Sequence, residues 1–169
     1  MKVLGVSVAS GVIYYGALDA AQAPTTITSA PERLVPAAGL TGAERLADTY
    51  QRITQDIRVL RPFAVVLVGT RKHGNWRYRD AAERASLMAA VMLACAHEGV
   101  RCEEWTTEKI GTAVEVPAKS LADFDFTAVG LEQRAKYWRQ GRGPAFAAAM
   151  AYLSTSTPGR SRADEGDRS

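Results

Sequence analysis

Lys2 to Val8 and Val12 to Leu18 are strand-like runs of mostly apolar, β-branched and aromatic residues, joined at Ala9-Ser10-Gly11. Two such runs across a short Ser-Gly turn predict a β-hairpin. Pro24 to Thr28 reads as a short third strand, because Thr and Ile suit a pleated surface and Pro is accepted at a strand start. Pro31 to Gly39 reads as loop. Thr41-Gly42-Ala43-Glu44 then has capping-box spacing, and Leu46, Tyr50, Ile53, Ile57 and Leu60 recur on one face at helical period. Pro62 ends that helix. Phe63 to Val68 is a continuous apolar run closed by Gly69, the pattern of a strand buried on both faces.

Asp80-Ala81-Ala82-Glu83 repeats the capping-box spacing ahead of an apolar stretch from Ala85 to Ala96, with Gly99 as its stop. This second helix is apolar nearly all round. It is either buried between layers or turned toward a second copy, and Leu87, Met88, Val91 and Met92 are its candidate interface residues for a homodimer. Val100 to Trp105 predicts a fifth strand, Thr107 to Ala113 a short helix, Gly130 to Gln140 another, and Gly143-Pro144 opens a last helix through Leu153. Val114 to Val129 has no usable period. Residues 154–169 are polar and charge-balanced and predict a disordered tail, which leaves 1–153 as a single domain.

Composition narrows the classes. No apolar run approaches the roughly 18 residues that span a bilayer. The first residues lack the continuous apolar segment of a secretory signal, so a cytoplasmic protein without membrane contact is expected. Cys95 and Cys102 have no second pair at zinc-ligand spacing and read as free thiols, while His73 and His97 are the only histidines. Neither a metal nor a cofactor is expected.

The net charge of +3 says little, but its distribution says more. Arg71, Lys72, Arg77 and Arg79 fall in one short stretch with Trp76, and Arg134, Lys136, Arg139 and Arg142 in another with Trp138. Cations interleaved with aromatics and Gly suit phosphate contacts and base stacking. The plainer reading is that these are solvated loop charges, with Trp76, Tyr137 and Trp138 packed on the core under Arg side chains.

The order of three antiparallel strands, helix, parallel strand, helix, strand and final helix resembles the ribonuclease H-like fold. Val3 to Ser10, reading V-L-G-V-S-V-A-S, resembles the opening strand of the RuvC Holliday-junction resolvases and their relatives. Val65 to Trp76, Gly130-Leu131-Glu132, Pro144 to Ala147 and Ala151-Tyr152-Leu153 look more like a family of short bacterial proteins sharing that fold. The resemblance implies an α/β domain with a five-stranded mixed sheet, three antiparallel strands then two parallel, and helices on both faces.

It also implies where such nucleases hold two metal ions: mid first strand, at the end of the fourth, and at the start of the last helix. Here those places are Ser7, Val68 or Gly69, and residues 143–149, none of them Asp or Glu. Clustered carboxylates are needed to hold two divalent cations close together. The expectation is therefore a degenerate centre in a catalytically inactive domain. It would bind nucleic acid or another phosphate-bearing ligand through Arg71, Lys72, Trp76, Arg77, Arg79, Lys136, Trp138, Arg139 and Arg142. Two alternatives remain open: a scaffold acting through a homodimer or protein partner, and a weak metal nuclease recruiting Asp19, Glu103, Glu104, Asp123 or Asp125.

Overall fold

The computed structural model describes residues 1–71 and 75–156. Strands β1 (Lys2–Ala9) and β2 (Val12–Asp19) form the expected hairpin, with Ala9 opposite Val12. Ser10 and Gly11 both take positive φ, 50° and 71°, the geometry a two-residue turn needs to match the strand twist. Short β3 (Thr25–Thr26) pairs antiparallel with the end of β2 at Leu18 and Asp19. Strand β5 (Ala64–Val68) lies parallel to β1, and β6 (Arg101–Trp105) lies parallel to β5.

One strand was not expected. Arg33–Leu34, here β4, pairs with the start of β2 at Ile13 and Tyr14, so the sheet has six strands rather than five, in the order β3-β2-β1-β5-β6 with β4 beside β2. Two short segments thus share one long edge. The Pro31–Gly39 stretch read as loop because neither residue carries a local strand signal.

Helices cover both faces. In β1 the period of two sends Leu4, Val6 and Val8 to one side and Val3 to the other. The first side packs on α1 (Gly42–Leu60) through Ile53, Ile57 and Leu60, and on α2 (Tyr78–His97) through Leu87, Met88, Val91 and Ala94. The second packs on α3 (Thr107–Val114) and α4 (Gly143–Ser156), with Trp138 and Phe146 in its centre. α2 starts at Tyr78, two residues before Asp80, so Asp80 stands in its first turn and does not cap it. Thr41 does cap α1, although its side chain makes no capping bond. Leu46, expected on the buried face of α1, is 40% exposed.

Two further expectations change. Gly130 to Gln140 is not a helix: residues 131–137 are non-helical, with Tyr137 at φ of 61° ahead of a single wide turn over Trp138–Arg142, while the stretch without period before it holds 3-10 turns over Ala118–Asp123 and Phe126–Val129. α4 runs three residues past Leu153, to Ser156. The rest of the expected tail, like Lys72 and His73, lies outside the described residues. Among the described residues no helix is long and apolar enough to cross a membrane.

Candidate functional site

The parallel strands β1 and β5 end at one edge of the sheet, and the start of α4 lies against that edge. Two glycines allow this. A Cβ on Gly5 would stand 1.8 Å from the Ala145 carbonyl oxygen, and one on Gly16 2.4 Å from the Phe146 amide nitrogen, so the alanine-rich helix rests directly on the hairpin backbone. These glycines serve packing. The edge opens into a cleft of about 240 Å³ lined by Ser7, Val68, Gly69, Arg71, Trp76, Arg84, Lys119 and Gln140 among others, with no carboxylate among the described lining residues.

Arg84 of α2 organises the cleft. Its Nη1 donates to the Val8 carbonyl, its Nη2 to the Val68 carbonyl at 3.1 Å and its Nε to Thr70 Oγ1 at 2.9 Å. One guanidinium thus ties the ends of β1 and β5 to the helix above them. Burial pushes the Arg84 pKa down, against an opposing pull from nearby Glu104. Arginine still stays charged at neutral pH, because its unperturbed pKa lies far above it. The Trp76 ring lies 5.6 Å from the guanidinium carbon, within cation–π range, and is 45% exposed.

The expected ligand-binding residues divide sharply. Arg71 and Trp76 line the cleft. Arg77 caps α2, Arg79 sits in its first turn, and both are exposed outside the cleft lining. Lys136 is exposed, and Arg139 is held by Asp123 at 3.0 Å.

Trp138 and Arg142 are corrections. Trp138 is 2% exposed, stacks on Phe146 with centroids 5.3 Å apart, and donates its indole N–H to the Phe124 carbonyl at 2.9 Å. It has no free face for a base. Arg142 is 7% exposed and bonds the Tyr15 carbonyl at 3.3 Å and Glu32 at 3.2 Å. Both are core residues, as the plainer reading of these charges had it for Trp138. The same correction applies to α2, whose Leu87, Met88 and Val91 are 5%, 6% and 1% exposed against the sheet and α1. Of the four candidate interface residues Met92 alone is exposed, at 37%, beside Leu93 at 62%.

Sequence reasoning missed Arg84 and Lys119. Arg84 extends the buried stripe of α2 formed by Leu87, Met88, Val91, Ala94 and Cys95 by one turn, so a cation on an apolar stripe was the available signal. Lys119 falls in the segment without period and had none.

The centre does not fit two divalent cations. Ser7 offers a neutral hydroxyl, Val68 and Gly69 offer backbone only, and the Val8 and Val68 carbonyls already accept from Arg84. Among the described residues no group of three His, Cys, Asp or Glu could hold a metal ion. The carboxylates considered for relocation, Glu104 apart, have other partners. Asp19 pairs with the N-terminal ammonium, Glu103 with Arg101, Asp123 with Arg139, and Asp125 accepts from Thr127. Glu104 stands nearest the centre, with its Oε1 3.2 Å from where a Cβ on Gly69 would be, and it borders a depression shared with Arg84 and Trp76, so it supplies one carboxylate and not the cluster that two cations need.

No family model matches the chain, and no curated protein matches it either. Solved structures do. RuvC of Thermus thermophilus superposes with a TM-score of 0.72 at 16% identity, over 91% of this chain and 94% of that one. The same protein in complex with a Holliday junction substrate gives 0.70 at 18% identity, over 91% and 93%. The yeast mitochondrial Holliday junction resolvase Ydc2 gives 0.58 at 9% identity, over 90% and 77%. The topology and these superpositions identify the fold as RuvC-like and ribonuclease H-like.

Proposed function

We propose that this chain is a ribonuclease H-like domain without nuclease activity, which binds nucleic acid or another phosphate-bearing ligand at the edge where β1, β5 and α4 meet. The observation that carries this reading is the lining of that cleft: Arg71, Arg84 and Lys119 beside an exposed indole, without a carboxylate among the described lining residues. Low-dielectric walls lined by one sign of charge concentrate ligands of the other sign. A nuclease of this fold needs anionic oxygens to hold its metals, and the same edge here is cationic.

Fluorescence anisotropy with labelled single- and double-stranded DNA and RNA across a salt series tests the binding. The expected result is affinity that falls with salt and is lost in an Arg71→Ala, Lys72→Ala, Lys119→Ala variant, since each neutralised phosphate contact steepens the salt dependence. No binding at low salt overturns it. Magnesium- or manganese-dependent cleavage by the pure protein overturns the absence of nuclease activity.

A second reading is assembly with a protein partner or a second copy, supported by the exposed Met92 and Leu93 on α2. Light scattering of the wild type against Leu93→Asp checks it, with a smaller species in the variant as the supporting result.

A further inference from the structure

We infer that the Arg84 guanidinium stands in for the divalent cations of this edge, as a fixed counter-cation on which a nucleotidyl phosphate docks without any metal ion. This rests on the binding reading above and adds to it the residue, the ligand chemistry and the independence from metal.

Three observations support it. The guanidinium sits at the carbonyl ends of β1 and β5, bonded to Val8, one residue beyond Ser7, and to Val68, so it adjoins the places that the resemblance gives to metal ligands. Its acceptors are two peptide carbonyls and the Thr70 hydroxyl, all neutral, so its charge is anchored without being cancelled by an ion pair. Glu104, which borders the neighbouring depression, acts on it through its field without a hydrogen bond, and Asp80 and Glu83 line a second depression beside it without pairing with it among the described residues.

The donors are also sufficient. Guanidinium has five N–H groups, and three are engaged by these acceptors. Arg71 and Lys119 line the same cleft, and neither forms an ion pair among the described residues, unlike Arg139 and Arg142. Charge-assisted N–H bonds to phosphate are the strong kind, and Arg presents them in a planar fork. Trp76, packed beside Arg84 and 45% exposed, adds an aromatic face that inorganic phosphate cannot use but a nucleotide base can.

The test uses the full chain and a short fluorescein-labelled single-stranded oligonucleotide, in EDTA and in magnesium. Trp105 and Trp138 are 5% and 2% exposed, so quenching of tryptophan emission by added oligonucleotide reports chiefly on Trp76. The expected result is equal affinity in EDTA and magnesium, with quenching. Arg84→Gln should weaken binding about tenfold or more, the loss typical of one charge-assisted contact, and Arg84→Lys should recover part of it.

Thermal unfolding shows whether Arg84→Gln is folded. If it is not, the Arg71→Ala, Lys119→Ala double variant, whose replaced side chains line the cleft without anchoring the strands, must lose affinity in EDTA for the inference to stand. Binding that requires magnesium overturns the inference, as does a folded Arg84→Gln that binds like wild type while loss of the rim cations abolishes binding. In that last case the binding reading survives alone. No binding by any probe overturns both. Competition by inorganic phosphate as effective as that by a mononucleotide removes the nucleotidyl part.

Discussion

The backbone of Gly5 lies so close to α4 that a Cβ there would fall 1.8 Å from the Ala145 carbonyl oxygen. Carbonyl oxygens of a helix cannot move away without breaking its ladder, so the helix as a whole must shift. Gly5→Ala should therefore destabilise the domain by about 3 kcal/mol, the upper part of the overpacking range. It should also displace the start of α4 from the cleft. Urea unfolding measures the first effect, and weaker oligonucleotide binding by the protein that remains folded measures the second. A variant as stable as wild type would mean that α4 does not rest on the hairpin as described.

Met88 and Val91 are buried against the sheet and α1, at 6% and 1% exposure. Charged substitutions there place an unpaired charge in the core, so Met88→Asp and Val91→Lys should unfold the chain, with a cost above about 3 kcal/mol. Leu93→Asp, at a position 62% exposed, should change stability by less than about 0.5 kcal/mol. Circular dichroism melts separate the two groups. A folded, smaller species from Met88→Asp would restore the interface that the apolar sequence of α2 suggests.

Trp138 sits between Phe124 and Phe146, nearly parallel to both rings, and spends its one donor on the Phe124 carbonyl. Trp138→Ala should cost about 4 kcal/mol, within the range for large aromatic truncations in a core. Oligonucleotide affinity per folded molecule should change little. Trp76→Ala should do the reverse, with little loss of stability and a clear loss of affinity, because its ring borders the cleft and is partly solvated. Paired unfolding and anisotropy titrations on the two variants check both halves.

The sequence is legible where a residue's neighbours along the chain decide its fate. Val65 to Val68 form a central strand because every residue is apolar and β-branched or Leu, and Gly99 ends α2 at φ of 66° as a helix stop should. β4 was hidden because Arg33 and Leu34 become a strand only by pairing with Tyr14 and Ile13. The false helix over Gly130–Gln140 has helix-forming residues, but burying Trp138 fixes its backbone, with Tyr137 in the left-handed region. The site divides in the same way. The lack of carboxylates at Ser7 and Val68 was readable position by position. That Arg84 closes the gap, and that Arg142 points inward, depends on contacts made across 76 and 127 residues.

Asp123 holds Arg139 at 3.0 Å on the surface, with both side chains more than half exposed. Such a pair adds little stability, so Asp123→Asn should leave unfolding unchanged within about 0.5 kcal/mol. It should nevertheless release one cation and remove one anion near the cleft, since the turn carrying Asp123 also supplies Lys119 to the lining. Oligonucleotide affinity should rise about two- to threefold at low salt, with a steeper salt slope, because one more phosphate contact releases one more counterion.

The hairpin carries a pH dependence of its own. Tyr15, 1% exposed, donates to Asp56 Oδ2 at 3.2 Å; burial first, then the Asp56 charge, pushes its hydroxyl well above the usual value. A group whose pKa is raised by folding stabilises the native state fully below its unfolded value, about 10 for tyrosine, and loses that contribution as pH rises toward the folded value. The urea midpoint should therefore fall between pH about 9.5 and 11. Tyr15→Phe should cost about 1 kcal/mol at pH 7 for the lost bond and should flatten that alkaline decline. Asp56, raised mainly by burial and lowered by the Tyr15 bond, should titrate still higher in the variant. A decline of equal slope in Tyr15→Phe and wild type would assign the alkaline loss to another group.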